Sequence, residues 1–298
     1  MDILQELTLP ETWQAFIQYK TEKQHLSPAG QRVLEDFLAK GACVRAGELR
    51  ASDYIPPLPA KKEISKAGTD KKRTVYFYPE EFQTFLKVIA FLLYRYDGRF
   101  APNCYAFRRQ LGVSDAIRRL RSIRGLSRKY CFKVDIHNYF NSISVPRLME
   151  KLDFLKEADA PLYALFEKML TADAALENGK LCTEARGAMA GIPVSPFFAN
   201  IYLSDIDWEF ERQQVLYFRY SDDILLFADS REELADLQRQ LCQALDEHKL
   251  ALNPQKLHVS APGEAFEFLG FSYQDGRIDL SENTIRKMKA KIRRKAHA

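Results

Sequence analysis

The spacing of apolar residues predicts helices in the first third of the chain, apart from one interruption. Apolar positions at helical spacing follow Pro10 and Pro28, and a run that is apolar nearly all round follows Pro79, so a helix is predicted after each proline. The proline-rich run 55–59 excludes a helix interior, because proline lacks the backbone donor and clashes with the preceding turn. Two short strands joined by a turn at 67–70 are predicted next.

Alternating and helical patterns follow one another in the rest of the chain, which predicts a mixed α+β protein. Residues 129–136 are apolar at every second position and predict a strand, with Asp135 near its end. Asn178-Gly179 predicts a hairpin turn, and Ser281 predicts the cap of a final basic helix. Further helices are predicted at 114–122, 146–155, 161–170, 197–206 and 231–250, and a strand pair at 267–273.

The stretch 215–228 has two apolar arms that flank a short polar centre. The arms are rich in β-branched and aromatic residues, which predicts a hairpin that carries the adjacent carboxylates of Asp222 and Asp223 at its tip. Like charges repel and are costly to desolvate, whereas a hard cation such as Mg²⁺ prefers carboxylate oxygens. The alternative is a solvated turn that happens to carry two acids, and a third acid nearby would favour the metal site.

Asp135 supplies a third carboxylate from a neighbouring strand. A central antiparallel sheet backed by helices would bring Asp135 close to Asp222 and Asp223. Three acids around two Mg²⁺ ions suit in-line phosphoryl or nucleotidyl transfer, because one ion activates an attacking hydroxyl and the other holds the leaving pyrophosphate. The sequence therefore predicts a site for two Mg²⁺ ions, with Mn²⁺ as the alternative metal.

Composition narrows the class of protein. The 298 residues are 46% hydrophobic and 28% charged, as in folded globular proteins. No apolar run approaches the roughly 20 residues of a membrane-spanning helix. The acidic start 1–6 lacks the basic-then-apolar layout of a signal peptide, so a cytoplasmic protein without a membrane partner is predicted. Five scattered cysteines without a Cys-x-x-Cys spacing predict reduced thiols rather than disulfides or zinc ligands.

Positive charge is concentrated in two blocks, although the net charge is only +4. Residues 107–130 contain eight basic residues and one acid, Asp115, and residues 286–295 contain seven basic residues and no acid. Such blocks are typical of surfaces that bind a polyanion, and a solvated helix face is an equally good interpretation of either block alone.

Taken in order, the motifs of this chain resemble those of bacterial reverse transcriptases, the group that includes group II intron maturases, retron enzymes, diversity-generating enzymes and phage-defence enzymes. The resemblance covers roughly residues 52–280, and an ordered set of motifs is far more specific than an isolated pair of aspartates. The matching segments are Phe132-Lys133-Val134-Asp135-Ile136 with Tyr139-Phe140, the loop and helix 186–203, Tyr220-Ser221-Asp222-Asp223, Asn253-Pro254-Gln255-Lys256 and Phe268-Leu269-Gly270-Phe271.

The resemblance implies an α+β right-hand polymerase fold with fingers and a palm, in which helices back an antiparallel palm sheet, and with a short or truncated thumb. An N-terminal helical extension is predicted at 1–51. The predicted boundaries are 52–78 and 144–190 for the fingers, 79–143 and 191–275 for the palm, and 276–298 for a basic helix that begins the thumb.

The resemblance also implies roles for individual residues. Asp135, Asp222 and Asp223 would be catalytic and would bind metal, together with Ile136. Phe140 would lie under the sugar and reject a 2′-hydroxyl, and an ordinary core aromatic is the alternative interpretation. The other implied nucleotide contacts are Lys61, Lys72, Arg73, Tyr139, Ala190 and Lys256, and the implied primer or template contacts are Arg108, Arg109, Tyr220, Phe268, Leu269 and Gly270.

The predicted function is RNA-directed DNA synthesis from dNTPs, with an RNA template or dedicated non-coding RNA and a DNA primer, in an antiphage defence or retroelement system. Met189-Ala190-Gly191 replaces the family's usual Pro-Gln-Gly, which favours template-independent or protein-primed DNA synthesis as an alternative. Further alternatives are an inactive RNA-binding scaffold, which the three acids argue against, and an RNA polymerase, which Phe140 argues against. The tail after Phe271 lacks the Val-Thr-Gly of retron enzymes, which argues against that subgroup.

Overall fold

Helices make up the N-terminal part of the chain, and strands enter from residue 60 onward. The structure is a computed structural model that describes residues 1–65, 72–184 and 186–296, and the turn predicted at 67–70 lies outside the described residues. The α-helices are α1 (Ile3–Glu6), α2 (Pro10–Gln24), α3 (Pro28–Ala39), α4 (Ala42–Glu48), α5 (Glu80–Leu92), α6 (Val113–Ser122), α7 (Tyr139–Ser142), α8 (Val145–Lys151), α9 (Phe154–Ala158), α10 (Ala160–Thr171), α11 (Ser195–Tyr202), α12 (Ser204–Arg212), α13 (Arg231–Glu247) and α14 (Glu282–Ala296).

The described strands form three sheets, so the predicted α+β composition is confirmed. Short 3₁₀ helices lie at Leu93–Arg99, Leu126–Arg128 and Pro254–Lys256. The strands are β1 (Ala60–Ser65), β2 (Lys72–Phe77), β3 (Tyr130–Asp135), β4 (Ala174–Glu177), β5 (Lys180–Thr183), β6 (Leu216–Tyr220), β7 (Asp223–Ala228), β8 (His258–Ser260), β9 (Phe266–Phe268), β10 (Phe271–Gln274) and β11 (Arg277–Leu280). Among the described helices, none has both the length and the apolar character needed to cross a membrane.

The chain forms two units, each with its own packing. The first unit contains residues 1–64, 72–96 and 144–201, and the second contains residues 97–143 and the described residues from 202 onward. Residues 79–96 therefore group with the helical N-terminus, whereas the predicted boundaries place them in the palm. The assignment of fingers and palm to these units stays a prediction.

The sheet of the first unit has the strand order β2-β1-β4-β5. β1 and β4 run parallel, with Ala60 opposite Leu176, and β4 and β5 form an antiparallel hairpin. The hairpin turns at Asn178 and Gly179, which have φ values of 51° and 78°. Left-handed backbone at both positions is what an Asn-Gly hairpin turn requires, so this prediction is confirmed.

Buried polar and aromatic contacts hold the helices of the first unit together. Trp13 of α2 is fully buried, and its ring packs edge-on against Phe85 of α5. Asp159 is 3% exposed and caps α10 by accepting from the backbone N–H of Leu162 at 3.2 Å. Its other carboxylate oxygen accepts from the N–H of Ile3 at 2.7 Å. One side chain thus joins the start of α1 to the start of α10.

The main sheet of the second unit is antiparallel throughout, with the strand order β6-β7-β3-β8. α13 packs against β7 and β3, and α12 packs against β6. Residues 224–228 of the central strand β7 are all buried, as expected of a strand covered on both faces. The predicted antiparallel sheet backed by helices is therefore confirmed. A smaller antiparallel sheet has the order β11-β10-β9.

One predicted helix was wrong, and another helix was not predicted. The helix predicted at 197–206 is interrupted, because Leu203 adopts a non-helical backbone (φ −107°, ψ 8°) and Ser204 starts α12. An acidic first turn, which includes Asp205, stabilises a new helix start there. α4 was not predicted; it begins directly after Gly41, which has φ +83° and separates it from α3.

The final helix, predicted at 276–298, begins later than that boundary. Residues 277–280 form β11, because Asp275 and Gly276 both have positive φ and turn the chain back onto β10. The helix begins only after Ser281, whose hydroxyl accepts from the N–H of Thr284 at 3.3 Å. The predicted Ser281 cap is thereby confirmed.

Asp159→Ala is expected to lower the free energy of unfolding by about 1–3 kcal/mol, because it removes the cap of α10 and leaves the N–H of Ile3 without its acceptor. Denaturant unfolding followed by circular dichroism measures the change. Asp153→Ala is the matched control, since the exposed Asp153 precedes α9 without making a capping bond and should matter by less than about 0.5 kcal/mol. Equal effects of the two substitutions would contradict this role of Asp159.

Candidate active site

The two aspartates of the predicted hairpin lie at the turn between β6 and β7 and at the start of β7. The strands are antiparallel, half-buried Tyr220 is paired with Asp223, and Ser221 and Asp222 form the turn. Ser221 has φ +62°, which places a non-glycine residue in the left-handed region. Such residues concentrate at functional turns, where the surrounding structure must hold them. The hairpin itself is confirmed.

Asp135 lies beside this hairpin, because β3 pairs with β7 in the register that places Asp135 opposite Asp223. Directly opposed side chains leave the sheet on the same face, so these two carboxylates are neighbours. The N–H of Ile136 donates to the carbonyl of Asp222 at 3.0 Å, and the N–H of Asn253 donates to the carbonyl of Asp135 at 2.8 Å. The structure thus brings the three predicted acids to one end of the sheet.

Two lysines compensate part of this negative charge. The ammonium group of Lys256 forms a hydrogen-bonded ion pair with Asp135 Oδ2, and that of Lys133 lies 3.6 Å from Asp223 Oδ1. Lys256 is a predicted nucleotide contact, whereas Lys133 is absent from the predicted site. Its place two residues before Asp135 is the signal that identifies it, because alternate residues of a strand share a face.

The charge on Asp223 is poorly accommodated. Burial, and then the charges of Asp222 and Asp135, raise the pKa of Asp223 from its ordinary 3.8 to about 6, while Lys133 and Lys256 oppose the rise. Asp223 Oδ1 is also buried without a hydrogen-bond partner in the part of the chain that the structure describes. A carboxylate oxygen in this condition is costly unless a cation approaches it. Both observations indicate a site that is short of positive charge.

The donor chemistry of this cluster fits divalent metal ions, which prefer carboxylate and carbonyl oxygens. Asp135, Asp222 and Asp223 would hold them, together with Ile136. In the arrangement present, no three Asp, Glu, His or Cys side chains of the described residues converge closely enough to coordinate one ion. Lys256 occupies an oxygen of Asp135, so it competes with a metal ion for that oxygen.

A buried ion pair supports the turn from inside the unit. Arg219 of β6 and Asp207 of α12 are both fully buried, and the guanidinium Nε donates to Asp207 Oδ1 at 2.7 Å. Arg219 Nη1 also donates to the carbonyl of Ser221 at 3.2 Å, and the hydroxyl of Tyr217 donates to Asp207 at 2.9 Å. The turn that carries the acids is therefore tied to a charge pair that the sequence analysis missed. An arginine within an otherwise apolar strand is the available signal.

The predicted sugar-facing residue, Phe140, is half-buried and contacts a second aromatic side chain. Its ring meets that of Phe107 edge-on, with centroids 6.2 Å apart. Phe107 has φ +57°, an uncommon backbone conformation for an aromatic residue. Tyr139, which was predicted to contact the nucleotide, is only 2% exposed, so its ring belongs to the core of the unit.

The predicted primer and template residues have contrasting surroundings. Arg108 donates to Asp97 at 2.7 Å and to three backbone carbonyls, so its guanidinium is already engaged, whereas Arg109 is exposed. The turn 268–270 between β9 and β10 begins with buried Phe268 and continues with two residues at positive φ. Their contacts to nucleic acid stay predictions.

Three of the predicted nucleotide contacts, Lys61, Lys72 and Arg73, belong to the first unit. Lys61 of β1 pairs with Glu184 at 2.6 Å, and the hydroxyl of Tyr76 donates to the same carboxylate at 2.8 Å. Lys72 and Arg73 of β2 are exposed. The charge of Lys61 is therefore compensated within its own unit, and exposed Lys72 pairs with exposed Glu63 at 3.2 Å, whereas Arg73 presents its charge to solvent.

The loop Met189-Ala190-Gly191, which replaces the family's Pro-Gln-Gly, is hydrogen-bonded to β2. The N–H of Tyr76 donates to the carbonyl of Ala190 at 2.7 Å, and Ser195 Oγ donates to the carbonyl of Met189 at 2.7 Å. Gly191 has φ +103°, and a Cβ on it would lie 2.7 Å from the carbonyl oxygen of Tyr76. Glycine is required at this close approach, because a side chain would clash with the backbone.

Comparison with known proteins assigns the family. Residues 61–273 match the family described as reverse transcriptase (RNA-dependent DNA polymerase). The chain belongs to the reverse transcriptase family. The retron Ec86 reverse transcriptase of Escherichia coli is 24% identical over 117 residues, or 38% of this chain and 37% of that protein. Protein P of heron hepatitis B virus is 27% identical over 121 residues, or 40% of this chain and 15% of that protein. Each match thus covers well under half of the relative's length.

Solved structures establish the fold of this reverse transcriptase chain. Telomerase from Candida tropicalis has a TM-score of 0.61 at 10% identity, covering 78% of this chain and 50% of that chain. Telomerase from Candida albicans, in complex with a TWJ fragment of telomeric RNA, has a TM-score of 0.59 at 14% identity, covering 77% and 47%. The predicted right-hand polymerase fold is thereby confirmed. Reverse transcriptases generally use divalent metal ions, in agreement with the donor chemistry of the three acids.

Asp223→Asn is expected to stabilise the metal-free protein at neutral pH. Because the folded-state pKa of Asp223 is raised, the folded state holds this proton more tightly, and the contribution of the group to stability declines as the pH rises from about 4 to about 6. The full penalty above that window is about 3 kcal/mol as an upper value. Asparagine should therefore raise the free energy of unfolding by about 1–3 kcal/mol near pH 7.5, and by less near pH 5.

Denaturant unfolding in the presence of a chelator, at both pH values, measures this difference. Asp236→Asn removes the same charge from an exposed position on α13 and should change the free energy of unfolding by less than about 0.5 kcal/mol at either pH. Destabilisation by Asp223→Asn near pH 7.5 would show that the charge of Asp223 is favourably placed in the metal-free protein.

Proposed function

We propose that this chain carries out RNA-directed DNA synthesis with two Mg²⁺ ions, or Mn²⁺ in their place, and deoxynucleoside triphosphates. The observation that carries the proposal is the cross-strand placement of Asp135 opposite Asp223, beside the turn that holds Asp222. Membership of the reverse transcriptase family over residues 61–273 supports the same chemistry. When bound, the metal ions supply activation of the primer hydroxyl and charge stabilisation of the phosphates.

The side chains of this chain act by position and charge, because phosphoryl transfer needs little covalent chemistry from the protein. The three acids bind the cations. Lys256, whose ammonium group lies at Asp135, supplies positive charge for the incoming triphosphate. Phe140, in contact with Phe107, is the proposed barrier to a 2′-hydroxyl.

Exposed residues supply the other proposed contacts. Lys72 and Arg73 on β2 bind the triphosphate, as the most accessible of the basic residues predicted for that role. Arg109 and the turn 268–270 contact the primer and the template. Arg108 stabilises the local structure through its bond to Asp97 and does not contact nucleic acid.

Primer extension tests this proposal. With an RNA template, a DNA primer, dNTPs and Mg²⁺, extension by Asp222→Asn/Asp223→Asn should fall by more than about 100-fold, because loss of even an outer partner of a metal ligand typically costs 10–100-fold. Asp236→Asn should extend the primer as the wild type does. Extension by the double variant at the wild-type rate would rule out this hairpin as the catalytic site.

The loop at Met189-Ala190 favours a second candidate, template-independent or protein-primed DNA synthesis. The Ala190 side chain offers no hydrogen-bonding group, and its carbonyl is already bonded to the N–H of Tyr76. Sequencing the products made with and without added RNA separates the two candidates. Faithful copies of the supplied RNA support templated synthesis, and products made without RNA support the second candidate.

We place this activity in an antiphage defence or retroelement system that provides a dedicated RNA. The similarity to a retron reverse transcriptase over 117 residues supports an RNA partner of this kind. Sequencing of RNA that copurifies with the protein tests it. Strong enrichment of one non-coding RNA encoded beside the gene is expected, and recovery of bulk cellular RNA alone would contradict it.

A further inference from the structure

The second unit contains a cavity of about 200 Å³ that is separate from the three acids. Its walls come from the end of α6 and the segment that follows, from the connection between β8 and β9, and from the sheet β11-β10-β9. Cys131, near the start of β3, lines the cavity, whereas Asp135 ends the same strand. The polymerase chemistry proposed above leaves this cavity without a role.

The cavity combines apolar walls with the buried hydroxyl of Tyr273. Leu126, Phe266 and Ile278 line it, and the ring of Phe266 stacks on that of Tyr273 with centroids 4.7 Å apart and planes within 2°. Tyr273 also lines the cavity and is 4% exposed, and among the described residues its hydroxyl has no hydrogen-bond partner. A buried hydroxyl without a partner costs about 1–3 kcal/mol, so a polar group that entered the cavity and reached this hydroxyl would be stabilised there.

Basic residues surround the cavity. Arg121 of α6 and Arg277 of β11 line the cavity itself. Beyond it, Arg119, Arg124 and Arg128 are exposed along the same segment as Arg121. The acids at the cavity are Glu264, which accepts from the N–H of Ala261 at 2.7 Å, and Asp275. The surrounding surface therefore favours a polyanion.

We propose that this cavity binds one unstacked base of a single-stranded RNA, with the flanking phosphates on Arg121 and Arg124. Single-stranded RNA is recognised by bases that leave the stack, enter apolar or aromatic pockets and present a hydrogen-bonding edge. The Tyr273 hydroxyl meets that edge, and the arginines bind the backbone. An apolar side chain of a protein partner would fit the walls but would leave both the hydroxyl and the arginines unmatched. The inference rests on the proposed function only in taking RNA as the partner.

Fluorescence anisotropy with two labelled RNA strands tests the site without dNTPs. One strand consists of abasic ribose phosphates with a single central base, made with each of the four bases in turn, and the other is wholly abasic. The wild type should bind the best of the base-bearing strands about 5- to 100-fold more tightly than the abasic strand, since one stacked base contributes about that much. Equal binding of all strands would overturn the proposal and leave a protein side chain or water as the occupant.

Two sets of substitutions separate the hydroxyl from the charges. Tyr273→Phe removes only the hydroxyl, so the preference for the base should fall about 3- to 10-fold while binding of the abasic strand stays unchanged. Arg121→Gln and Arg124→Gln should weaken both strands alike and reduce the slope of log affinity against log salt by about 0.7 per arginine. An unchanged base preference in a folded Tyr273→Phe variant would also overturn the proposal.

The polymerase variant keeps this test independent of the proposed function. Asp222→Asn/Asp223→Asn should retain the base preference of the wild type, because the cavity does not include those residues. If the wild type shows the base preference but no polymerase activity, the proposed function is rejected and the cavity site is supported. If the wild type shows polymerase activity but no base preference, the cavity site is rejected and the proposed function stands.

Discussion

The buried ion pair between Arg219 and Asp207 is the constraint on which the candidate active site depends. Both side chains are fully buried, and a charge removed from water costs several kcal/mol unless a partner and hydrogen bonds compensate it. The guanidinium meets that condition through Asp207 and the carbonyl of Ser221, while the backbone of Arg219 is bonded to the segment 103–105. β6, α12 and that segment must therefore assemble together.

The position of β6 in turn determines where the acids lie. Ser221 is held in a left-handed conformation, and Arg219 binds its carbonyl. The register of β7 against β3 then places Asp223 opposite Asp135. Lys133 compensates this charge only in part, since the pKa of Asp223 remains raised to about 6. The fold thus concentrates negative charge where an added cation relieves it, and a metal-dependent polymerase site requires that arrangement.

Local patterns in the sequence predicted the hairpin and Asp135, because alternation and turn chemistry depend on neighbouring residues. Strand alternation also places Lys133 on the same face as Asp135, so Lys133 could have been predicted as part of the site from the sequence. The pairing of Arg219 with Asp207 could not be predicted, since it depends on how α12 packs against β6. The pairing of Lys61 could not be predicted either, because its partner Glu184 is distant in the sequence. β11 was missed because it has only two alternating apolar residues, too few to distinguish a strand from a basic helix.

Replacing the buried pair by apolar residues separates its part in stability from its part in holding the turn. Such replacements are often neutral or stabilising, whereas removal of one partner costs about 3–5 kcal/mol. We therefore predict that Asp207→Leu/Tyr217→Phe/Arg219→Met, which also removes the buried hydroxyl that donates to Asp207, unfolds near the wild-type denaturant concentration. Its affinity for Mn²⁺, measured by electron paramagnetic resonance, should nevertheless be at least about tenfold weaker, because Ser221 has lost its donor. A folded triple variant that binds Mn²⁺ as tightly as the wild type would contradict the dependence of the acidic site on this pair.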